Sequence, residues 1–421
     1  MSKTPVADLQ LNTERLLERF LRYVRIDTAA DPHSKTYPST AKQLELGKIL
    51  AAELTEMGID DVNFTSDGLV IATVPSSIPG DLPVVAVVAH VDTSPEAPSE
   101  NVTPQVVRDY AGGDITLCNG SAITVADYPK LEQMVGHTLV TTDGTTLLGG
   151  DDKAGVAIIM EVAHTLMEHP EIPHGPMRVV MTCDEEIGHG TDKIDLRQIG
   201  AKVGYTIDGG GHGEIDVETF SADAMTITFT GHNIHPAIAK GRMVNSIRAA
   251  ARFIDSLPID EETPETTEGR DGFIHMHDVH GGVGKTRVDL LLRSFDSDAL
   301  EHYAARVRAL AEKAAASVPG VKVRCDLRRQ YRNLGEGLAA LPEAVTLAEE
   351  AFANLSMECS REIVRGGTDG SQLTEKGLPT PNLSSGQHNI HSVLEFANLN
   401  EMRDSARHLI ELLRLWGEKL S

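Results

Sequence analysis

The chain has 421 residues, 38 of them basic and 62 acidic, for a formal net charge of −24. That excess of acid leaves no basic face for nucleic acid or an anionic membrane, and it suits a small partner. The length allows a full hydrophobic core and points to two domains rather than one.

The first twenty residues, MSKTPVADLQLNTERLLERF, lack the basic-then-apolar order of a secretory signal, and no apolar run reaches membrane-spanning length. Cys118, Cys183, Cys325 and Cys359 are far apart and include no CxxC pair. They read as reduced thiols in a cytoplasmic protein, neither a disulfide frame nor a zinc knuckle. A metal in this chain must be held by histidines and carboxylates.

In chain order, ERLLERFLRYVRI sets Leu16, Leu17, Phe20, Leu21 and Val24 at helical spacing, behind two capping candidates, Asn12 and Thr13. STAKQLELGKILAAELTEMGI predicts a second helix, opened by a Thr40–Gln43 capping box and stopped at Gly58. LPVVAVVAHVDT is a continuous apolar run rich in β-branched residues, the pattern of a strand buried on both faces. DKAGVAIIMEVAHTLMEH predicts a helix, and MRVVMTC and VGYTIDGG two more buried strands. Strands alternating with helices indicate an α/β sheet that is at least partly parallel.

The texture changes near residue 220. FSADAMTITFTGHNIHP alternates like a half-exposed strand, VNSIRAAARFIDSL is an amphipathic helix, TRVDLLLRSF a strand and DALEHYAARVRALAEKAAASV a helix. The block 220–332 thus reads as a small α+β domain inserted between two parts of a larger one, 1–219 and 333–421. Beyond it come a helix (ALPEAVTLAEEAFANL), a Gly-rich loop (VRGGTDGSQL), a His-bearing loop (SSGQHNIHSVLEF) and a final helix. HGGVGKT, residues 280–286, imitates a phosphate-binding loop, but position 279 is Val where that pattern needs Gly, and a strand follows rather than a helix.

Acids and histidines gather where apolar segments end. His90 and Asp92 follow VVAVVA and, two apart on extended chain, point to one side. Asp151 and Asp152 stand in LLGGDDKAG, Glu185 and Glu186 follow VVMTCD, and Asp208 follows VGYTI; His391 lies in a downstream loop. Each has an ordinary explanation alone, as a helix cap or a solvated pair. Their recurrence at four successive segments points instead to the crevice at the carboxyl ends of an open α/β sheet. Two histidines with several carboxylates form a mixed N/O field that suits zinc and tolerates manganese or cobalt. A bridging carboxylate would hold two metals roughly 3.5–4 Å apart. One glutamate of the 185–186 pair can then ligate while its neighbour handles a proton.

The stretches AHVDT, GGDDKAG, DEEIGHG, IDGGG, GHNIHP, RGGTDGSQL and GLPTPNLSSGQHNIHS, with TPETTEG in the inserted block, resemble the peptidase T family of tripeptide aminopeptidases. That family lies among the dizinc hydrolases that also include aminoacylases and glutamate carboxypeptidases. The resemblance runs in order over essentially the whole chain. It implies a mixed, mostly parallel sheet flanked by helices, with the inserted α+β domain as a lid. It implies two zinc ions, one held by His90 and Asp208, the other by Glu186 and His391, with Asp151 as the bridge. Asp92 would orient His90, and Glu185 would be the general base. Asp151 is preferred to Asp152 as the first acid of the DDK run, and His391 to its near neighbour His388. Gly150 stands where the family pattern leads one to expect alanine.

The implied activity is release of the N-terminal residue from short peptides, tripeptides above all; the alternative is a related dizinc amidohydrolase, such as a dipeptidase, carboxypeptidase or N-acyl amino acid hydrolase. His235, Arg293 and Arg365 are the candidates for the peptide carbonyl and C-terminal carboxylate. A cytoplasmic monomer or homodimer is expected.

Overall fold

Every residue of the strand Val85–His90 is buried, as a β-branched run that packs on both faces requires. In the computed structural model it lies between two parallel neighbours, Met177–Thr182 and Val203–Gly210. Asn382–His388 adds a further parallel strand beyond Val203–Gly210. These four strands form the centre of an eleven-stranded sheet whose flanking pairs are antiparallel. The fold is therefore the α/β class with a mixed sheet. The structure describes residue 6 and residues 9–419; residues 1–5, 7 and 8, part of the stretch read for a secretory signal, lie outside the described residues. Among the described residues no helix is long and apolar enough to cross a membrane.

The chain divides into two compact units, one of Met1–Val217, Glu336–Glu362 and Thr368–Ser421, the other of Glu218–Gly335 and Ile363–Gly367. In the first, the helix Gly150–Glu168 is buried along almost its whole length and packs against the central strands. Gly155 makes that approach possible: a Cβ there would lie 2.0 Å from the Ile207 carbonyl oxygen. On it rest the helices Thr13–Val24 and Leu399–Lys419. Leu373, Leu378 and Ile199 pack with Ile71, Ala86, Val88 and Val180 of the sheet.

The second unit is a four-stranded antiparallel sheet in the order Phe273–Gly282, Lys285–Ser294, Ser221–Thr230, Lys322–Tyr331. Met225, Ile227 and Phe229 alternate into its core, where Phe253 of the helix Ser246–Asp255 and Leu300 and Val307 of the helix Ser297–Ala316 meet them. The segment HGGVGKT is the tip of a hairpin, with Gly282 paired to Lys285.

Three local expectations need correction. Of the two capping candidates Asn12 caps the first helix, accepting from Arg15 N at 3.0 Å, but the Thr40–Gln43 capping box does not form. Thr40 Oγ1 donates to the Ala29 carbonyl, and the Gln43 amide bonds Asp184. Tertiary partners outbid the local cap. Half of the stretch read as a His-bearing loop is strand: Asn382–His388 is polar yet wholly buried, because Ser384, Ser385 and Gln387 hydrogen-bond within the sheet region. The stretch read as a Gly-rich loop contains the start of a helix, Asp369–Glu375, with Thr368 in a capping box.

Candidate metal centre

The carboxyl ends of the parallel strands carry the acids and histidines, all within the first unit. His90 closes its strand with Nε2 2.9 Å from Asp151 Oδ1 and 3.7 Å from Asp208 Oδ1. Asp208 is fixed from the neighbouring strand, its N–H donating to Asn382 and its carboxylate accepting from Gln387. His391 Nε2 lies 2.9 Å from Glu186 Oε2 and 3.4 Å from Asp151 Oδ2. Two groups result, each able to offer three ligand atoms within 4.8 Å of one another: His90, Asp151 and Asp208, and Asp151, Glu186 and His391. Asp151 belongs to both.

The turn after Met177–Thr182 sets the two glutamates. Asp184, buried and left-handed at φ +64°, is clamped by Ser39 and Gln43. The Asp92 carboxylate accepts the N–H groups of Glu185 and Glu186, each at 3.1 Å, and stands 3.4 Å from His90 Nδ1. One aspartate thus ties the first histidine to the glutamate pair. Glu185 is in neither three-ligand group.

Asp152 and His388 stand apart from these groups. Asp152 turns its oxygens to the N–H groups of His90 and Gly155, at the start of the helix. His388 is buried between the Tyr128 hydroxyl at 2.7 Å and Glu401 at 2.6 Å. The three substrate candidates belong to the second unit. His235 is exposed, its Nδ1 accepting from Ala237 N. Arg293 donates to Gln330 and to main-chain oxygens, over the Tyr331 ring. Arg365 donates to Thr267 and packs over Phe220 and Phe273.

The electrostatics show what the cluster lacks. Hydrogen bonds donated to Asp151 and Glu186 push the His391 imidazole up to about 11. Burial pulls His90 down, but Asp151, Asp208 and Asp92 outweigh it and hold that imidazole well above its ordinary value. Burial, with Asp151 nearby, raises Asp208 to about 6 and Glu186 to about 8. Burial likewise lifts Glu185 well above the carboxylate range. Among the described residues no lysine or arginine is ion-paired to these acids; Asp92, Asp151, Asp208 and Glu186 pair with the two histidines. Glu186 Oε1 is buried with no hydrogen-bond partner. Buried carboxylates in excess of their partners are costly unless a cation joins them. An orphaned carboxylate oxygen beside mixed N/O donors fits divalent metal.

Sequence reasoning missed several supports. Glu96, on an irregular stretch after Asp92, has Oε2 3.0 Å from His391 Nδ1. A carboxylate on the far nitrogen fixes a ligating imidazole, so both histidines have one. Asp369 is buried, accepts from Thr182 and keeps Oδ1 without a partner. Glu395 is buried four residues past His391; a lone acid in the apolar run VLEF was the one available signal.

Comparison with known proteins follows the same lines. Residues 217–319 match the family described as a peptidase dimerisation domain. The chain is 42% identical over 410 residues to peptidase T of Geobacillus kaustophilus, covering 97% of this chain and 100% of that one. It is 40% identical to peptidase T of Clostridium perfringens, with 96% and 100% covered. Among solved structures, the aminopeptidase PepT of Bacillus cereus superposes with a TM-score of 0.75 at 23% identity, covering 97% of this chain and 100% of that one. A Bacillus subtilis protein described as a dinuclear metal binding peptidase of the M20 family gives 0.65 at 17% identity, with 96% and 98% covered.

Proposed function

Because the chain belongs to the peptidase T family, we propose that it is a metal-dependent aminopeptidase that releases the N-terminal residue of short peptides, tripeptides above all. The observation that carries this reading is the presence of Asp151 in both three-ligand groups, an arrangement suited to two cations sharing one carboxylate. His90 and Asp208 would hold one, Glu186 and His391 the other. Zinc suits these donors, with manganese or cobalt as substitutes. When bound, such ions supply Lewis acidity at the scissile carbonyl and lower the pKa of water toward about 7.

The chain's own residues do the rest. Glu185, free of both ligand groups, takes the proton of the attacking water and passes it to the leaving amine. Asp92 holds Glu185 and Glu186 by their N–H groups and steadies His90. Arg293 and Arg365 have neutral partners, and neither is ion-paired among the described residues; this supports them, with His235, as groups for the peptide carbonyl and C-terminal carboxylate. The second unit is proposed as a separable lid whose motion gates turnover. Its match to a dimerisation domain supports pairing of two copies. A cytoplasmic location is part of the reading, supported by four free cysteines.

Calorimetric titration of the metal-free protein with zinc at pH 7 tests the metal assignment. Two equivalents per chain are expected, with release of protons. The sign follows from the raised imidazoles: His391, at about 11, holds its proton at pH 7 and must lose it to ligate. Apparent affinity should therefore climb as pH rises. Uptake of one equivalent or none, or a heat independent of the buffer's ionisation enthalpy, would contradict the assignment.

A further inference from the structure

Glu395 is 1% exposed, and its carboxylate has no part in the chemistry above. Oε2 accepts from Leu148 N at 2.7 Å and Gly149 N at 2.8 Å, and Oε1 accepts from Asp151 N at 3.0 Å. No lysine or arginine is ion-paired to it among the described residues; its hydrogen bonds come from backbone N–H groups, and the buried Lys153 acts on it only through space. Those groups converge because the loop before the helix is irregular. Gly149 is left-handed at φ +78°, and Asp151 (φ −80°, ψ 105°) and Asp152 (φ −118°, ψ 35°) depart from helical values. A helix start leaves its first N–H groups open, and successive open N–H groups form a nest for an anion. Here the anion comes from the chain itself, 244 residues downstream of Asp151.

Gly150 fits the same picture. A Cβ at this position would lie 3.1 Å from Glu395 Oε1, with Gln387 and Ala397 next. Glycine leaves the carboxylate the room to reach the Asp151 N–H, at the position where the resemblance leads one to expect alanine. The short stretch 391–395 therefore does two things. It delivers the His391 imidazole to one ligand group and grips the backbone of the aspartate common to both.

We propose that Glu395 is a positioning residue for metal: by binding the Leu148, Gly149 and Asp151 N–H groups it aims the Asp151 carboxylate between His90 and His391. The proposal rests on the two-cation reading above. A carboxylate outside the ligand set acts through the ligand it orients, and loss of such a support typically weakens metal binding by about 10–100-fold. Because Asp151 is shared, both cations should feel the change together.

The test is zinc affinity by chelator competition on Glu395→Gln, with the wild type alongside and melting temperatures of the metal-free forms. Glutamine keeps the shape but can turn only its oxygen to the nest, leaving an NH2 group against an N–H donor. Both zinc ions are expected to bind about 10–100-fold more weakly, and saturating zinc should restore most of kcat. Glu395→Asp keeps the charge and shortens the reach; it should fall between the two, and it serves if the glutamine variant does not fold. Wild-type zinc affinity in the folded fraction of either variant, with only a lower melting temperature, would overturn the proposal. Wild-type protein that bound no zinc would instead overturn the metal reading, and Glu395's role with it.

Discussion

Asp151→Asn is expected to leave a folded protein that holds neither cation tightly, with turnover reduced about 10³-fold or more. The carboxylate offers one oxygen to the His90–Asp208 group and the other to the Glu186–His391 group. Asparagine keeps one of those oxygens, and its NH2 group faces the second group as a donor that a cation repels. Lewis-acid stabilisation is worth several kcal/mol, and each 1.4 kcal/mol is a factor of ten in rate, which gives the size of the loss. Elemental analysis after gel filtration reads the metal each variant retains. Retention of both ions at wild-type affinity would mean that the Asp151 carboxylate is not shared between two sites.

Glu185→Gln should fail in the opposite manner. Its carboxylate is in neither ligand group, so both cations should stay and KM should move little. Turnover should fall roughly 10²–10⁴-fold, the range for loss of a general base. The backbone of residue 185 stays fixed, since Asp92 binds its N–H rather than its side chain. Glu186→Gln is the contrast: it swaps a charged ligand for a neutral one beside His391, so one cation should weaken and added zinc should partly restore activity. Metal retained in Glu186→Gln but lost in Glu185→Gln would reverse the two assignments.

The central strands were legible in the sequence because burial on both faces demands uninterrupted apolar, β-branched residues, as in VVAVVA and MRVVM. The acids at their ends stood out for the same reason: a charge directly after such a run is conspicuous. Asn382–His388 was not legible. Its polar side chains bond Gly209, Glu214 and Asp208 inside the fold, and a local reading takes SSGQH for loop. The capping box at Thr40 misled in the same way, since Gln43 spends its amide on Asp184 across 141 residues.

The supports of the candidate site follow that rule. The pairing of His90 with Asp92 is two residues apart and can be read from extended geometry, whereas Glu96 meets His391 across 295 residues and Glu395 meets Asp151 across 244. Sequence periodicity carries no information about such pairs. The ligands themselves were assigned through family resemblance, and spacing alone left Asp151 and Asp152, or His388 and His391, as alternatives. In the structure Asp152 and His388 have their polar atoms occupied elsewhere, while Asp151 and His391 lie in the three-ligand groups.

The most direct measurement of the central claim is turnover of one unblocked tripeptide and its N-acetylated form by the zinc-reconstituted protein, with released amino acids identified. Release of the N-terminal residue from the free tripeptide, with negligible turnover of the acetylated one, is the result expected of an aminopeptidase. Equal turnover of both, or release of the C-terminal residue first, would contradict it and move the chain's activity to another amide.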